Sequence, residues 1–187
     1  MQKQIIKYSF LVVAISLSLL SCVKDVDFDQ ADDFEISPVV ESSLIFFEGQ
    51  ANRFLLNTNE IVSIKDSVTV EFFNSNFIVD NLIKSEFVFE AVNSISKEFQ
   101  VRVDLINDLE LQVHSFTLTA SPSTNGNDVL SDHTEVFEND KLEALKNTSK
   151  IVFTLSLLSG ETINQSTLGR IKLQSKAVFY LNIGEEL

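Results

Sequence analysis

The sequence predicts an all-β protein, a two-layer antiparallel sandwich of seven to eight strands with one short helix. Three observations predict it. From about Ser42 onward, apolar residues recur at every second position, the period of a half-buried strand. Clusters of Asn, Ser, Asp and Gly cut the chain into runs of strand length. Repeating strand–helix–strand units, which would build a parallel sheet, are absent.

Taken in chain order, Leu44–Phe47 and Val68–Phe73 are short strand candidates. Ile83, Phe87, Phe89 and Ala91 alternate with Lys84, Glu86 and Glu90, and Phe99, Val101, Val103 and Leu105 alternate with Gln100, Arg102 and Asp104. In Leu109–Ala120 the parity changes: Leu109, Leu111 and Val113 are odd, whereas Phe116, Leu118 and Ala120 are even. One extra residue near His114-Ser115 restores a single inward face, so a bulge is expected there. Lys141–Lys146 has the apolar spacing of a two-turn helix, with Asn139 or Asp140 as cap and Asn147 near its end. Ile151, Phe153, Leu155 and Leu157 form another inward row. The last row is the clearest: Ile171, Leu173, Ala177, Phe179, Leu181 and Ile183 face away from Lys172, Gln174, Lys176 and Asn182. Asn57–Asn59, Asn74–Asn76, Asn93-Ser94, Asn107-Asp108, Ser121–Asp128 and Ser159-Gly160 punctuate these runs. The expected organisation is a leader over 1–21, an acidic tether over 22–38 and a sandwich of immunoglobulin-like or similar type over 39–187.

The leader has Lys3 and Lys7 ahead of the apolar run Tyr8–Leu20. As a helix that run measures roughly 20 Å at ~1.5 Å per residue, short of ~30 Å of hydrocarbon, which suits a cleaved secretory signal. Leu19-Leu20-Ser21-Cys22 resembles the lipobox of bacterial lipoproteins. The resemblance implies cleavage between Ser21 and Cys22 and acylation of Cys22, whose sulfur would form the thioether. Cys22 is the only cysteine, so no disulfide can form within the chain and the core must supply stability. Three acyl chains at ~0.8 kcal/mol per buried CH₂ would anchor firmly. Cys22→Ser is therefore expected to abolish acylation and leave the precursor uncut; an unmodified Cys22 in the native mature protein, seen by mass spectrometry, would refute the assignment.

Behind Cys22, Val23–Glu35 carries six acids and one lysine, the composition of a solvated, extended linker. Asp25, Asp27 and Asp29 alternate in the manner of calcium ligands, but the glycine and terminal glutamate of a calcium loop are missing, so no metal is expected. Lys24 with this acidic run resembles the export signal of surface-exposed lipoproteins in Bacteroidota. That resemblance implies the outer membrane, with its surface face favoured over the periplasmic one. Formal net charge is −13 over the whole chain, and the two leader lysines make the remainder more negative still. Such a field repels nucleic acid and anionic headgroups, so the membrane is expected to be reached through lipid alone.

Chemistry is thinly supplied. His114 lies beside the expected bulge and His133 falls in a polar stretch with Asp132 and Glu135, read as a solvated loop. Neither histidine has metal-ligand spacing, and neighbouring His114 and Ser115 would point to opposite faces of a strand. A serine elbow and a phosphate-cradling glycine loop are both absent. Sixteen phenylalanines, no tryptophan and two tyrosines describe a core-filling set more than sugar-stacking platforms. The doublets Phe46-Phe47 and Phe72-Phe73 should each set one ring on either side of a sheet, with the outward rings covered by the tether or the helix, or else forming a partner surface. Asp66-Ser67-Val68 resembles the O-glycosylation motif of exported proteins in Bacteroidota, with Ser67 as acceptor. Glu90–Phe99, a strand ending at an asparagine turn, resembles late-embryogenesis/water-stress sandwich domains, although the usual Asn-Pro is Asn93-Ser94 here; the likeness implies a sandwich only.

The expected role is a non-catalytic, cofactor-free binding or assembly module on a lipid anchor, with an envelope protein or glycan as partner. Two alternatives stand beside it: a carboxylate-dependent hydrolase of envelope glycans, and a structural or stress-protective envelope component.

Overall fold

A computed structural model describes residues 35–184, of which Glu35–Ile183 form one compact body. Two four-stranded antiparallel sheets face each other. The first has the order β1 (Val39–Gln50), β10 (Arg170–Leu181), β5 (Leu82–Asn93), β8 (Val129–Phe137). The second has the order β4 (Ser63–Thr69), β9 (Lys150–Gly160), β6 (Lys97–Ile106), β7 (Gln112–Ala120). A two-residue hairpin, β2 (Leu55–Leu56) with β3 (Asn59–Glu60), follows a 3₁₀ turn at Ala51–Phe54. Helix α1 (Asn76–Asn81) precedes β5, and α2 (Asp140–Lys146) joins β8 to β9. Among the described residues no helix is long and apolar enough to cross a membrane.

The period of two does what it predicts. Phe87, Phe89 and Ala91 of β5, Phe99, Val101, Val103 and Leu105 of β6, and Ile171, Leu173, Ala177, Phe179 and Leu181 of β10 are all buried. Their rings form a chain across the core, with Phe179–Phe73 centroids 5.9 Å apart, Phe73–Phe87 6.1 Å and Phe87–Phe137 4.7 Å. Burying such rings contributes roughly 1.5–3 kcal/mol each, the main term holding the sheets together.

The expected bulge is present: Leu105 pairs with His114 but Ile106 with Gln112, so Val113 is the extra residue. His114 thereby joins the inward face of Phe116, Leu118 and Ala120. Leu109 and Leu111 depart from the expected inward row; they lie in the turn before β7, and Leu109 is 75% exposed. Ile83 also departs from it. The β10–β5 register shifts between Tyr180 and Leu181, which turns Ile83 outward, 55% exposed, and buries Leu82 instead. The segment Val68–Phe73 divides, because β4 ends at Thr69. At α2 neither Asn139 nor Asp140 caps through its side chain; the Asn139 carbonyl accepts from the N–H groups of Leu142 and Glu143, and Asn139 sits at φ 52°. β8 runs through the stretch of Asp132, His133 and Glu135 that the sequence suggested as a polar loop, since its inward positions Ser131, His133 and Glu135 are polar.

One corner ties both sheets to the loops. Asn93, the last residue of β5, is fully buried, and its Nδ2 donates to the carbonyls of Lys97 (2.8 Å) and Ser121 (2.9 Å). Its Oδ1 accepts from the Ile95 N–H at 2.9 Å. Beside it the Ser94 N–H donates to the Arg170 carbonyl at 2.9 Å, and the Arg170 N–H returns a bond to Ser94 Oγ at 2.9 Å. Gly169 passes close by at φ +104°, where an added Cβ would meet the Ser94 carbonyl oxygen at 2.7 Å. Only glycine has both the backbone freedom and the missing volume for that approach.

Candidate functional site

The two long seams of the sandwich, where the edge strands of one sheet meet those of the other, are built differently. At one seam β7 and β8 pack together and α2 lies against both. Glu135 of β8 points inward there, 7% exposed, from a position paired with Phe87. Its Oε1 accepts from Lys141 Nζ of α2 at 2.7 Å and lies 2.9 Å from His114 Nε2 of β7. Its Oε2 lies 3.2 Å from His133 Nε2 of β8. Phe116 stacks on the His133 ring, centroids 5.5 Å apart, and Phe137 meets His114 edge-on at 5.5 Å. Burial pushes the Glu135 carboxyl up, but the Lys141 ammonium and the hydrogen bonds from Lys141 and both imidazoles outweigh it. The net result holds Glu135 below the usual carboxylate range. Among the described residues no three His, Cys, Asp or Glu side chains are arranged to hold a metal ion. In this cluster the Lys141 ammonium supplies the balancing cation. With both oxygens bonded, Glu135 joins β7, β8 and α2.

At the opposite seam β1 and β4 stand apart, and no comparable packing joins them. An open trough runs between them as two adjoining clefts of roughly 470 and 310 Å³ that share Phe153. Val40, Leu44, Val68, Phe72 and Phe179 line the larger cleft, and Ile45, Phe47 and Ile64 the smaller. Phe47 and Phe72 border the trough; only Phe46-Phe47 sets a ring on either side of a sheet as expected, because Phe72-Phe73 lies beyond the end of β4 and on no strand. Phe46 and Phe72 are exposed, 63% and 47%, while Phe73 is buried and Phe47 packs against the core. Both walls are edge strands whose outer backbone groups lack a strand partner among the described residues.

Asp66 is the one acid set into this trough from β4. It pairs with buried Phe153, between Ile64 opposite Leu155 and Val68 opposite Ile151, so it shares their inward face. Its Oδ1 accepts the Ser67 N–H at 2.8 Å, and among the described residues it has no cationic partner. Arg53, also on the trough wall, forms no ion pair among the described residues. Arg53 instead donates to the Glu48 carbonyl at 3.1 Å and lies over the Phe47 ring.

Of the residues singled out in the sequence, Ser21, Cys22, Lys24, Asp25, Asp27 and Asp29 lie outside the described residues. Ser67 lies exposed on β4, opposite Val152 and on the other face from Asp66. His114 and His133, expected apart and one of them in a loop, meet on one carboxylate. A signal for that did exist: His133, Glu135 and Phe137 share a parity, as do His114, Phe116 and Leu118. Asp132 faces away from the cluster and is exposed.

By sequence, no family model and no curated protein matches the chain. Its fold does resemble solved structures. The VP2 subviral particle protein of infectious bursal disease virus aligns with a TM-score of 0.50 at 12% identity, covering 78% of this chain and 36% of that one. The Gx strain of the same virus gives 0.43 at 13%, covering 80% and 33%. TmCBM61, solved with β-1,4-galactotriose, gives 0.30 at 11%, covering 87% and 97%. The chain thus spans about a third of the length of the viral chains. At 12% identity the VP2 likeness bears on the fold alone and says nothing about activity.

Proposed function

We propose that this chain is the precursor of a lipid-anchored envelope protein whose sandwich is a non-catalytic binding module, with the β1–β4 seam as its binding surface. The open trough carries the reading. A sandwich ordinarily closes over its core rings, yet here Phe72, edge-on to buried Phe179, stands exposed along an apolar cleft bounded by two strand edges that are unpartnered among the described residues. The lipobox ending at Cys22 supports the anchor, and the acidic run behind Lys24 supports the outer membrane and its surface face. Confinement to a membrane raises the effective concentration of a partner in the same layer, which lets a modest surface suffice. The partner is an envelope protein or glycan.

Site-specific photo-cross-linking of the full chain in producing cells tests this. A photoreactive residue at Val68 should capture a discrete partner, the same residue at exposed Leu109 should not, and Phe72→Asp should diminish the Val68 adduct. Equal capture from both positions, or a Val68 adduct indifferent to Phe72→Asp, would overturn the assignment.

A further inference from the structure

We infer that the β4 edge takes an extended polypeptide segment as a fifth strand of its sheet, with a basic side chain of that segment set against Asp66 between two apolar ones. This rests on the seam being the binding surface and names the chemistry that fits it. Three observations lead to it.

The first is the backbone. Among the described residues β4 pairs only with β9, so its other side offers N–H and C=O groups without a strand partner there along seven residues, about 23 Å of strand. An extended chain satisfies such an edge, and main-chain bonding of this kind is a general mode of peptide capture. The second is the order of side chains facing the trough: Ile64, Asp66, Val68. A strand laid beside β4 places residues directly opposite these three, at alternate positions and on the same face. Ile64 and Val68 border apolar floor, which suits apolar partners. Asp66 has no ion-pair partner among the described residues and sits between them, which suits Lys or Arg; Arg53 of the same cleft is engaged by the Glu48 carbonyl and the Phe47 ring. The third is what the edge refuses. Full-length antiparallel pairing with a second copy, Ser63 against Thr69, would set Asp66 against Asp66, and like charges directly opposite are destabilising. The inward acid therefore protects the edge from its own copy while selecting a basic partner. Lys65, pointing to the other face of the sheet, does not compete for Asp66 within the trough.

The probe is a random dodecapeptide phage library panned on the full mature chain in detergent. Selected peptides should carry Lys or Arg with apolar residues two positions to either side. Their synthetic versions should bind Asp66→Lys at least tenfold more weakly, and a Lys→Glu version of the peptide should recover that loss. Hydrogen exchange along β4 should slow in the complex, an effect that a helix lying in the trough would not produce. Thermal melting of each variant checks that the sandwich remains intact. If selected peptides lose binding to Phe72→Asp but ignore Asp66→Lys, the seam reading stands and this inference falls. If they bind both variants as well as wild type, the seam is not the site and both fall. Failure to select any peptide also ends the inference, while the cross-linking from Val68 still decides the seam reading separately.

Discussion

Replacing Asn93 with alanine is expected to lower folding stability by about 3 kcal/mol or more, because each buried polar group left without a partner costs ~1–3 kcal/mol. The side chain makes three bonds with zero exposure, to the carbonyls of Lys97 and Ser121 and from the Ile95 N–H. Alanine removes all three. The partners belong to the β5–β6 turn, the start of β6 and the end of β7, so the loss falls on both sheets. Asn93→Asp is a sharper companion. It keeps the acceptor for Ile95 but turns a donor toward two carbonyls into a charge that repels them, so it should fare no better than alanine. Urea unfolding reads the effect as a fall in midpoint at unchanged slope. A loss under 1 kcal/mol for both variants would show that Asn93 is not the fastener of this corner.

Asn93 also shows what the sequence displayed and what it hid. Asn93-Ser94 was legible as a turn, but a turn asparagine is usually solvated; its burial follows from the Ser121 segment arriving over it, a contact 28 residues away in sequence. The strand rows of β5, β6, β9 and β10 were legible because burial on one face imposes a period of two on the residues themselves. β8 was not, because three of its inward positions are Ser131, His133 and Glu135, and polar residues on the buried face erase the pattern. The register shifts at Ile83 and Val113 behave alike in structure. Only the second was visible, through the parity change in Leu109–Ala120. The trough had a partial signature in the two phenylalanine doublets; that they border one seam depends on β1 and β4 being edges of different sheets, which pairing alone decides. Asp66 was noticed only for its neighbour Ser67, since no local pattern marks an acid as inward-facing.

Glu135→Gln is expected to cost about 2 kcal/mol at neutral pH, the scale for hydrogen bonds to a charged group, and the cost should depend on pH in a defined direction. The folded-state carboxyl lies below its ordinary value of 4.5, held there by Lys141, His114 and His133 against the opposing effect of burial. A depressed carboxyl binds its proton less readily folded than unfolded. Its stabilisation is therefore fully present above the unfolded value and is lost as pH falls through the folded one. Glutamine has no proton to gain there, so the wild-type advantage should be constant at neutral pH and shrink as the medium is acidified below about pH 4.5. Urea unfolding of both proteins from neutral to acid pH supplies the curve, and a difference that stays flat throughout would deny the depressed carboxyl. Lys141→Met should cost less, because that side chain is 52% exposed and its ion pair is partly screened by solvent. The position of the cluster adds a constraint on function. It closes the β7–β8 seam under α2, across the core from β1 and β4. A Glu135→Gln protein below its melting temperature should thus retain the Val68 cross-link and the response to Asp66→Lys. Loss of both in a folded variant would mean that the two seams are coupled, and that the closed one sets the width of the open one.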